Sequence, residues 1–283
     1  MATTTSLTTT YAGREAAGYI RAAFLSNESL AAVTFKENIE YKQVVRRLVD
    51  DITFANATCD FTPTGTVTLT ERILTLEKFQ IHRQLCKNTF LIDWEARSEQ
   101  NNELHASLTD AIIANVLAGM AARNEVLIWQ GVNATAGQYD GFETLFLADG
   151  TVLDVASPEA ITSTNVIEEM GKLVLTLPTR VRRATEKPVI AVSSNVAEAY
   201  RSAILGLGGG YYLYQGESVV MNWQGQYDVI ECPGMSDDTM AFYQKSNLWF
   251  GTNLLDQWNN VAVLDMYDKD LSDNVRFAAS FFA

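Results

Sequence analysis

The chain has 283 residues, of which 47% are hydrophobic and 19% are charged, and its formal net charge at pH 7 is −13. This length allows one large domain or two smaller ones, and the composition is typical of a globular protein and excludes a disordered or fibrous one. An acidic surface repels nucleic-acid phosphates, so the charge argues against a broad DNA-binding surface.

The N-terminal segment is rich in threonine. Residues 1–10 hold six threonines and one serine, too little apolar surface to offset the entropy of ordering them. We therefore expect a flexible arm unless a partner orders it. Residues 12–25 predict a short amphipathic helix, because Ala16, Ile20 and Phe24 recur at helical spacing. The chain has no secretory signal and no apolar run long enough to span a membrane, so we expect a soluble protein made in a cytoplasm.

Two segments with alternating polarity predict a β-hairpin. Val67 and Leu69 alternate with polar residues in 66–72, directly after a turn sequence at 63–65. A second alternating segment follows at residues 79–85. Because one face of each segment is polar, we expect this hairpin to project from the core. Residues 36–54 are charged and mixed in pattern, and they predict no element.

The clearest predicted helix covers Glu103 to Ile128, with Asn101 or Asn102 as its cap and Gly131 just beyond its end. Its apolar positions recur every three or four residues: Leu104, Leu108, Ile112, Ile113, Val116, Leu117 and Met120. Gly119 lies inside the helix at a cost of about 1 kcal/mol relative to alanine, and a close approach by another element would explain it.

The second half predicts an α/β unit followed by strands. Residues 131–160 predict loops. Further elements are expected at Asn165–Leu177 (helix, stopped by Pro178), Pro188–Val192 (buried strand), Ser193–Asn195 (cap), Val196–Leu205 (helix), and Val219–Trp223, Tyr227–Glu231, Met240–Tyr243, Val261–Met266 and Val275–Phe282 (strands). The apolar end Phe281-Phe282-Ala283 predicts a docked C-terminus.

Residues that can carry chemistry are few, and their spacing matches no catalytic motif. Gly206, Gly208 and Gly210 imitate a dinucleotide fingerprint, but they follow a helix and the final glycine is missing. His82 is expected to face solvent and His105 to lie in the first turn of the long helix, and we assign both a structural role.

The acidic and thiol groups also lack a partner at catalytic spacing. The candidates are Asp93 and Glu95, the run Asp265, Asp268, Asp270 and Asp273, and the cysteines Cys59, Cys86 and Cys232. The aspartate run lacks the glycine and glutamate of an EF-hand loop, and the cysteines suit neither a metal site nor a disulfide framework. We therefore predict no catalytic, cofactor-binding or metal-binding residue and no cofactor.

Three parts of the chain carry a resemblance to a known family. They are Thr58–Arg72 with Gln84–Lys87 and Phe90–Glu95, the helix end Ile128–Gly131, and Leu248–Asp256 with Ser272–Phe277. Together these stretches resemble the major capsid proteins of tailed bacteriophages. The resemblance covers roughly residues 10–283, and the family implies an α+β fold of the HK-97-like type.

The resemblance implies a domain plan. Residues 1–45 resemble the N-terminal arm and 46–92 the extended β-hairpin loop. Residues 93–144 resemble the peripheral domain with its long spine helix, 145–245 the axial domain, and 246–283 the strands that return to the peripheral domain. On this plan, deletion of residues 64–80 is expected to leave a folded monomer that forms no shells.

The family also implies function and partners. We expect a non-enzymatic protein that self-assembles as hexamers and pentamers into an icosahedral shell, located in the virion capsid and assembled in the host cytoplasm. Its partners would be a portal and scaffolding or decoration proteins, with double-stranded DNA enclosed without sequence-specific binding, and no membrane. The alternatives are an encapsulin-like nanocompartment shell protein and, in another class, a soluble α/β enzyme with an unrecognised site.

Charge is unevenly distributed along the chain. Residues 1–125 carry 12 basic and 15 acidic side chains, whereas residues 126–283 carry 9 and 19. The two halves either attract each other between subunits or are simply solvated.

Within the acidic half, Arg180, Arg182, Arg183 and Lys187 form a basic cluster, which is either a contact surface for a neighbouring carboxylate-rich patch or a solvated loop.

Overall fold

The structure, a computed structural model, describes residues 8–12, 27–51, 53–57, 59, 63–86, 106–206, 214–215, 218–219, 221–253, 260–272 and 274–283. The described strands are β1 (Thr8–Ala12), β2 (Thr34–Lys36), β3 (Lys42–Asp50), β4 (Val67–Thr75), β5 (Lys78–Cys86), β6 (Val189–Val192), β7 (Tyr214–Gln215), β8 (Ser218–Val219), β9 (Asn222–Trp223), β10 (Tyr227–Glu231), β11 (Met240–Tyr243), β12 (Trp249–Gly251), β13 (Asn260–Asp265) and β14 (Asn274–Phe282). The described α-helices are α1 (Ala106–Gln130), α2 (Phe142–Ala148), α3 (Val166–Thr176), α4 (Thr179–Arg182), α5 (Ser194–Gly206) and α6 (Tyr267–Asp270), and 3-10 helices cover Glu28–Ala32 and Lys245–Asn247.

The first core lies between helix α1 and an antiparallel sheet of order β1-β13-β14-β5. Strand β14 alternates between buried and less buried residues, and it turns Val275, Phe277 and Phe281 into this core. Met120 and Trp129 of α1 belong to the same cluster. The predicted long helix, the strand at 261–266 and the strand at 275–282 are therefore confirmed, with ends that differ by a few residues.

The second core surrounds strand β6, whose four residues are all buried. The sheet order is β11-β6-β10-β9, with β10 parallel and β11 antiparallel to β6. Helices α3 and α5 supply Met170 and Tyr200 to this core. Helix α5 begins after Ser193, whose carbonyl accepts the first helical bond from the N–H of Ala197 at 2.9 Å. The predicted strand–cap–helix unit and the helix before it are confirmed.

The predicted hairpin between residues 66–72 and 79–85 is wrong in its pairing. Strand β4 pairs with β3, from Lys42 opposite Thr75 to Asp50 opposite Val67. Strand β5 instead pairs along its whole length with β14. Alternation identifies a strand but not its partner, and Phe79 gives β5 an apolar side that packs into the first core. Deletion of residues 64–80 would therefore remove core residues, so it does not isolate the projecting element.

Four other expectations differ from the structure, and in the first two of them strand pairing overrides the local sequence. Residues 8–12 form strand β1 on the edge of the chain's own sheet, although we expected a flexible arm there. Residues 42–50 form a strand and 142–148 a helix where the sequence predicted no element. No described atom lies within 4 Å of a Cβ placed on Gly119, so close packing does not explain this glycine.

The C-terminus is docked, as predicted. The Ala283 N–H donates to the Glu77 carbonyl at 3.1 Å, and the Glu77 N–H donates to the Ala283 carbonyl at 2.9 Å. Other predictions lie outside the described residues: the helix at 12–25, the cap at Asn101 or Asn102, and the glycines Gly208 and Gly210.

Replacement of Gly141 by alanine is expected to lower the free energy of unfolding by at least about 2 kcal/mol, because overpacking forces backbone shifts. A Cβ on Gly141 would lie 2.3 Å from the Trp129 carbonyl oxygen and 2.6 Å from the Gly131 nitrogen. The control is Gly119→Ala, which has open space and should stabilise α1 by about 0.5–1 kcal/mol. Urea unfolding measures the free energy of unfolding of both variants. Equal values for the two would contradict the close approach of Gly141 to residues 129–131.

Candidate functional site

Strands β3 and β4 form a two-stranded ribbon that is exposed on both faces over most of its length, and one of these faces carries five aliphatic side chains. We call this the outer face, and it consists of Val44, Arg46, Leu48, Asp50, Val67, Leu69, Glu71 and Ile73. Its five aliphatic side chains are between 46% and 66% exposed. Arg46 and Glu71 face each other across the strands, with 2.9 Å between Nε and Oε1, so the charge in the middle of the face is balanced.

The base of the ribbon is fixed to the body of the chain through its other face. Leu76 is buried, and its N–H donates to the Tyr41 carbonyl at 3.0 Å. Leu74 lies over Gly251, where a Cβ would come within 2.8 Å of it. The Arg72 guanidinium lies 2.8 Å from Asp149, and hydrogen bonds from Arg72 and Thr151 hold the pKa of the Asp149 carboxyl well below its usual range.

The far end of the ribbon extends beyond the paired strands. The N–H groups of Asp51 and Thr53 donate to the carbonyls of Thr66 and Thr64 at 3.2 and 3.3 Å. Phe54 beyond them is 95% exposed. An apolar face and an exposed aromatic ring on a projecting ribbon are features of an interaction surface rather than of a monomer's solvated edge. The chemistry that this surface offers is association.

A buried polar cluster connects residues 27–32 to helix α1. The Trp129 Nε1–H donates to Ser29 Oγ at 2.7 Å, and the Ser29 N–H and Oγ–H both donate to Glu125 Oε1, the former at 3.1 Å. Burial raises the pKa of the Glu125 carboxyl, and it raises the pKa of the nearby Cys232 thiol to about 12. A thiol with such a pKa stays protonated at neutral pH, so Cys232 suits packing and not nucleophilic chemistry.

A cleft of about 1170 Å³ lies between helix α1 and strands β5 and β14. Its lining is mainly apolar and includes Phe79, Met120, Phe277 and Phe281. The titratable groups described in its lining are Glu77, Lys78, Arg83, Arg123 and Tyr139. The Tyr139 hydroxyl donates to Asn124 Oδ1 at 2.7 Å, and burial raises its pKa. This set of groups provides no activated nucleophile with an adjacent base.

The histidine, cysteine and acidic residues that the sequence offered as candidates do not come together in a site among the described residues. His82 is exposed, as predicted, and Cys59 and Cys86 are exposed as well. Asp270 accepts hydrogen bonds from the Ser272 N–H and Oγ–H at 3.0 and 2.6 Å, and these bonds lower its pKa. His105, Asp93, Glu95 and Asp273 lie outside the described residues, as do the side chains of Asp265 and Asp268.

The described residues form neither a metal-ligand cluster nor a membrane-spanning helix. In this part of the chain, histidine, cysteine and acidic side chains nowhere gather in threes as a metal site would require. Among the same residues, no helix is both long and apolar enough to cross a lipid bilayer. Sequence reasoning missed the outer face of the ribbon, although Val44 and Leu48 alternate with Arg46 and signal a strand face.

The fold that these two cores and the ribbon define is that of phage capsid proteins, the HK-97-like fold. No family model matches the chain, and no curated protein matches it either. Solved structures do match. The chain is similar to the capsid of a native GTA particle, with 17% identity, a TM-score of 0.56, and coverage of 100% of this chain and 90% of that one.

Two further structures match at similar levels. One is a chain of the satellite phage P4 procapsid that includes the size determination protein, with 11% identity, a TM-score of 0.52, and coverage of 94% and 92%. The other is from the cyanophage A-1(L) capsid asymmetric unit, with 13% identity, a TM-score of 0.53, and coverage of 90% and 88%. The α+β, HK-97-like fold that the sequence resemblance implied is thereby confirmed.

Proposed function

We propose that this chain is the major capsid protein of a tailed bacteriophage. In this role it self-assembles as hexamers and pentamers into an icosahedral shell that encloses double-stranded DNA. The observation that carries the proposal is the exposed apolar outer face of a projecting ribbon, on a chain with a capsid fold. A subunit that lies across its neighbour would bury this face.

The mechanism we infer is association through many modest contacts. Each ribbon would place its outer face on an adjacent copy, and the closed ring would combine several such contacts into a stable capsomer. Individually weak contacts let misplaced subunits leave before the shell closes. The net charge of −13 suits a wall that surrounds DNA without binding its sequence.

We also propose a domain plan for this role. The sheet that contains β14 and the helix α1 would form the peripheral domain, and residues 145–245 around β6 the axial domain, with residues 246–283 returning to the periphery. The arm, which the sequence placed at residues 1–45, would end before strand β3 begins at Lys42. The extended loop, which the sequence placed at 46–92, is better matched to the ribbon of β3 and β4, since β5 belongs to the sheet.

The remaining partners follow from the same role. A portal, and scaffolding or decoration proteins, would act on the shell in the host cytoplasm, and the finished protein would reside in the virion capsid without enzymatic activity. Neighbouring genes distinguish a phage capsid protein from the alternative of an encapsulin-like shell protein. Genes for a terminase and a portal next to this one favour a phage, whereas a cargo enzyme gene favours an encapsulin-like compartment.

Negative-stain microscopy and light scattering of the purified chain test the proposal. We expect capsomers or closed shells of uniform diameter, and masses that correspond to many copies. A monomer at every concentration that binds a small ligand in the cleft between α1 and β14 would instead support the alternative of a soluble α/β enzyme.

A further inference from the structure

Helix α3 separates unpartnered charges of opposite sign. Residues 131–171 contain seven acidic residues and no lysine or arginine, whereas Lys172, Arg180, Arg182, Arg183 and Lys187 follow within the next sixteen positions. The helix has 11 residues, so its length is about 16 Å. The N-terminus of α3 therefore follows an acidic segment, and its C-terminus leads into a basic segment.

Most of the acidic groups already have partners within the chain. Asp149 pairs with Arg72, Glu143 accepts from Ser236, and Glu168 and Glu169 both pair with Lys172. Asp140 accepts from the Asn133 N–H. Asp154 and Glu159 are different: both are exposed, and within the described residues neither has a hydrogen bond or an ion pair.

The basic end shows the same pattern. Arg182 donates to Thr179 Oγ1 at 3.2 Å. Arg180, Arg183 and Lys187 are exposed, and in the described part of the chain no side-chain partner contacts them. Glu186, the acid among them, accepts two bonds from Ser246, so it is directed to the body of the chain.

Local hydrogen bonds order the turns next to Glu159 and Arg183. Ahead of α3, the Asn165 side chain donates to the Ala160 carbonyl, next to Glu159, at 2.9 Å and accepts from the Thr162 N–H at 2.7 Å. After α3, the Arg183 N–H donates to the Thr179 carbonyl at 3.0 Å and closes the turn of α4. The helix dipole does not account for these charges, because its effect fades within one turn.

We propose that Arg180, Arg183 and Lys187 of one copy pair with Asp154 and Glu159 of the next copy around a closed ring. Along the chain the acidic pair precedes α3 and the basic group follows it, and within the described residues no ion pair joins the two groups. A head-to-tail contact between copies would join them, and such contacts close into rings when the rotation allows it. This inference rests on the proposed capsid function, and it names a contact separate from the ribbon.

Charge-swapped variants test the contact. Arg180→Glu/Arg183→Glu is expected to raise the protein concentration needed for half-maximal assembly by about tenfold, which is the effect of losing a few exposed ion pairs. Adding Asp154→Lys/Glu159→Lys to the same chain restores complementary charges with reversed sign. This combined variant should assemble at close to the wild-type concentration, as measured by light scattering at low salt.

A matched control separates pairing from net charge. Asp228→Lys/Asp237→Lys, added to Arg180→Glu/Arg183→Glu, restores the same net charge through two exposed carboxylates elsewhere, and it should not restore assembly. Equal rescue by both combinations, or wild-type assembly of Arg180→Glu/Arg183→Glu, would overturn the inference. Normal assembly of that variant with reduced retention of duplex DNA would overturn it in favour of a nucleic-acid contact. A wild-type chain that forms no assembly would instead refute the proposed function itself.

Discussion

A chain in which an Asn-Gly turn replaces residues 44–73 is expected to fold normally and to form no shells. Gln43 and Leu74 lie directly opposite each other at the base of the ribbon, so a two-residue turn can join them. The removed residues pair mainly with each other, and the ion pair between Arg72 and Asp149 is exposed and worth little stability. The loss therefore falls on association and spares the two cores.

Light scattering, negative-stain microscopy and a thermal melt measure the two consequences separately. We expect a monomer with a melting temperature within a few degrees of the wild type, because each kcal/mol shifts the midpoint of a chain this large by about 2–4 °C. Shells of normal size from the shortened chain would refute the role of the ribbon. If the shortened chain does not fold, the point variants below test the role of the ribbon in assembly.

Point variants on the two faces of the ribbon give the matched comparison. Leu48→Asp/Leu69→Asp places two carboxylates opposite each other on the outer face, whereas Val49→Asp/Thr68→Asp does the same one register position away on the other face. Opposed carboxylates weaken the strand pair to a similar extent in both variants, and because all four residues are exposed, neither variant should unfold the two cores. Only the outer-face variant should lose assembly, and equal losses would show that side-chain burial on this face is not the cause.

The sequence predicted the elements of the cores better than the pairing of the strands. Helix α1 is rich in apolar residues along its whole length and strand β14 alternates with period two, and both appear close to where the sequence placed them. Strand β5 also appears where its alternation predicted it. Its partner could not be predicted, because the pairing with β14 joins residues about 200 positions apart, and local pattern contains no information on such a choice.

The candidate site was harder to predict for a related reason. The segment Lys42–Asp50 mixes arginines with valine and leucine, so its composition obscures the period-two face of Val44, Arg46 and Leu48. Only the pairing with β4 shows that Glu71 balances Arg46 and that Leu69 lies opposite Leu48. An interaction surface of this kind depends on two segments together, and neither segment alone predicts it.

Replacement of Trp129 by alanine is expected to lower the free energy of unfolding by about 3–5 kcal/mol, the usual cost of removing a fully buried aromatic side chain. Trp129 has no exposed surface, and its ring meets Phe142 edge-on with 5.6 Å between the centroids. The change also removes the donor to Ser29 Oγ. Urea unfolding of a variant that stays monomeric measures the loss.

Trp249→Ala is the matched control, because this tryptophan is only partly buried and its Nε1–H donates to the exposed Ser246 carbonyl at 2.7 Å. It should cost about 1 kcal/mol. Trp129→Phe keeps most of the buried ring but leaves Ser29 with one partner fewer, so it should cost about 1–3 kcal/mol. If Trp129→Ala costs no more than Trp249→Ala, the contact between residues 27–32 and helix α1 does not stabilise the first core.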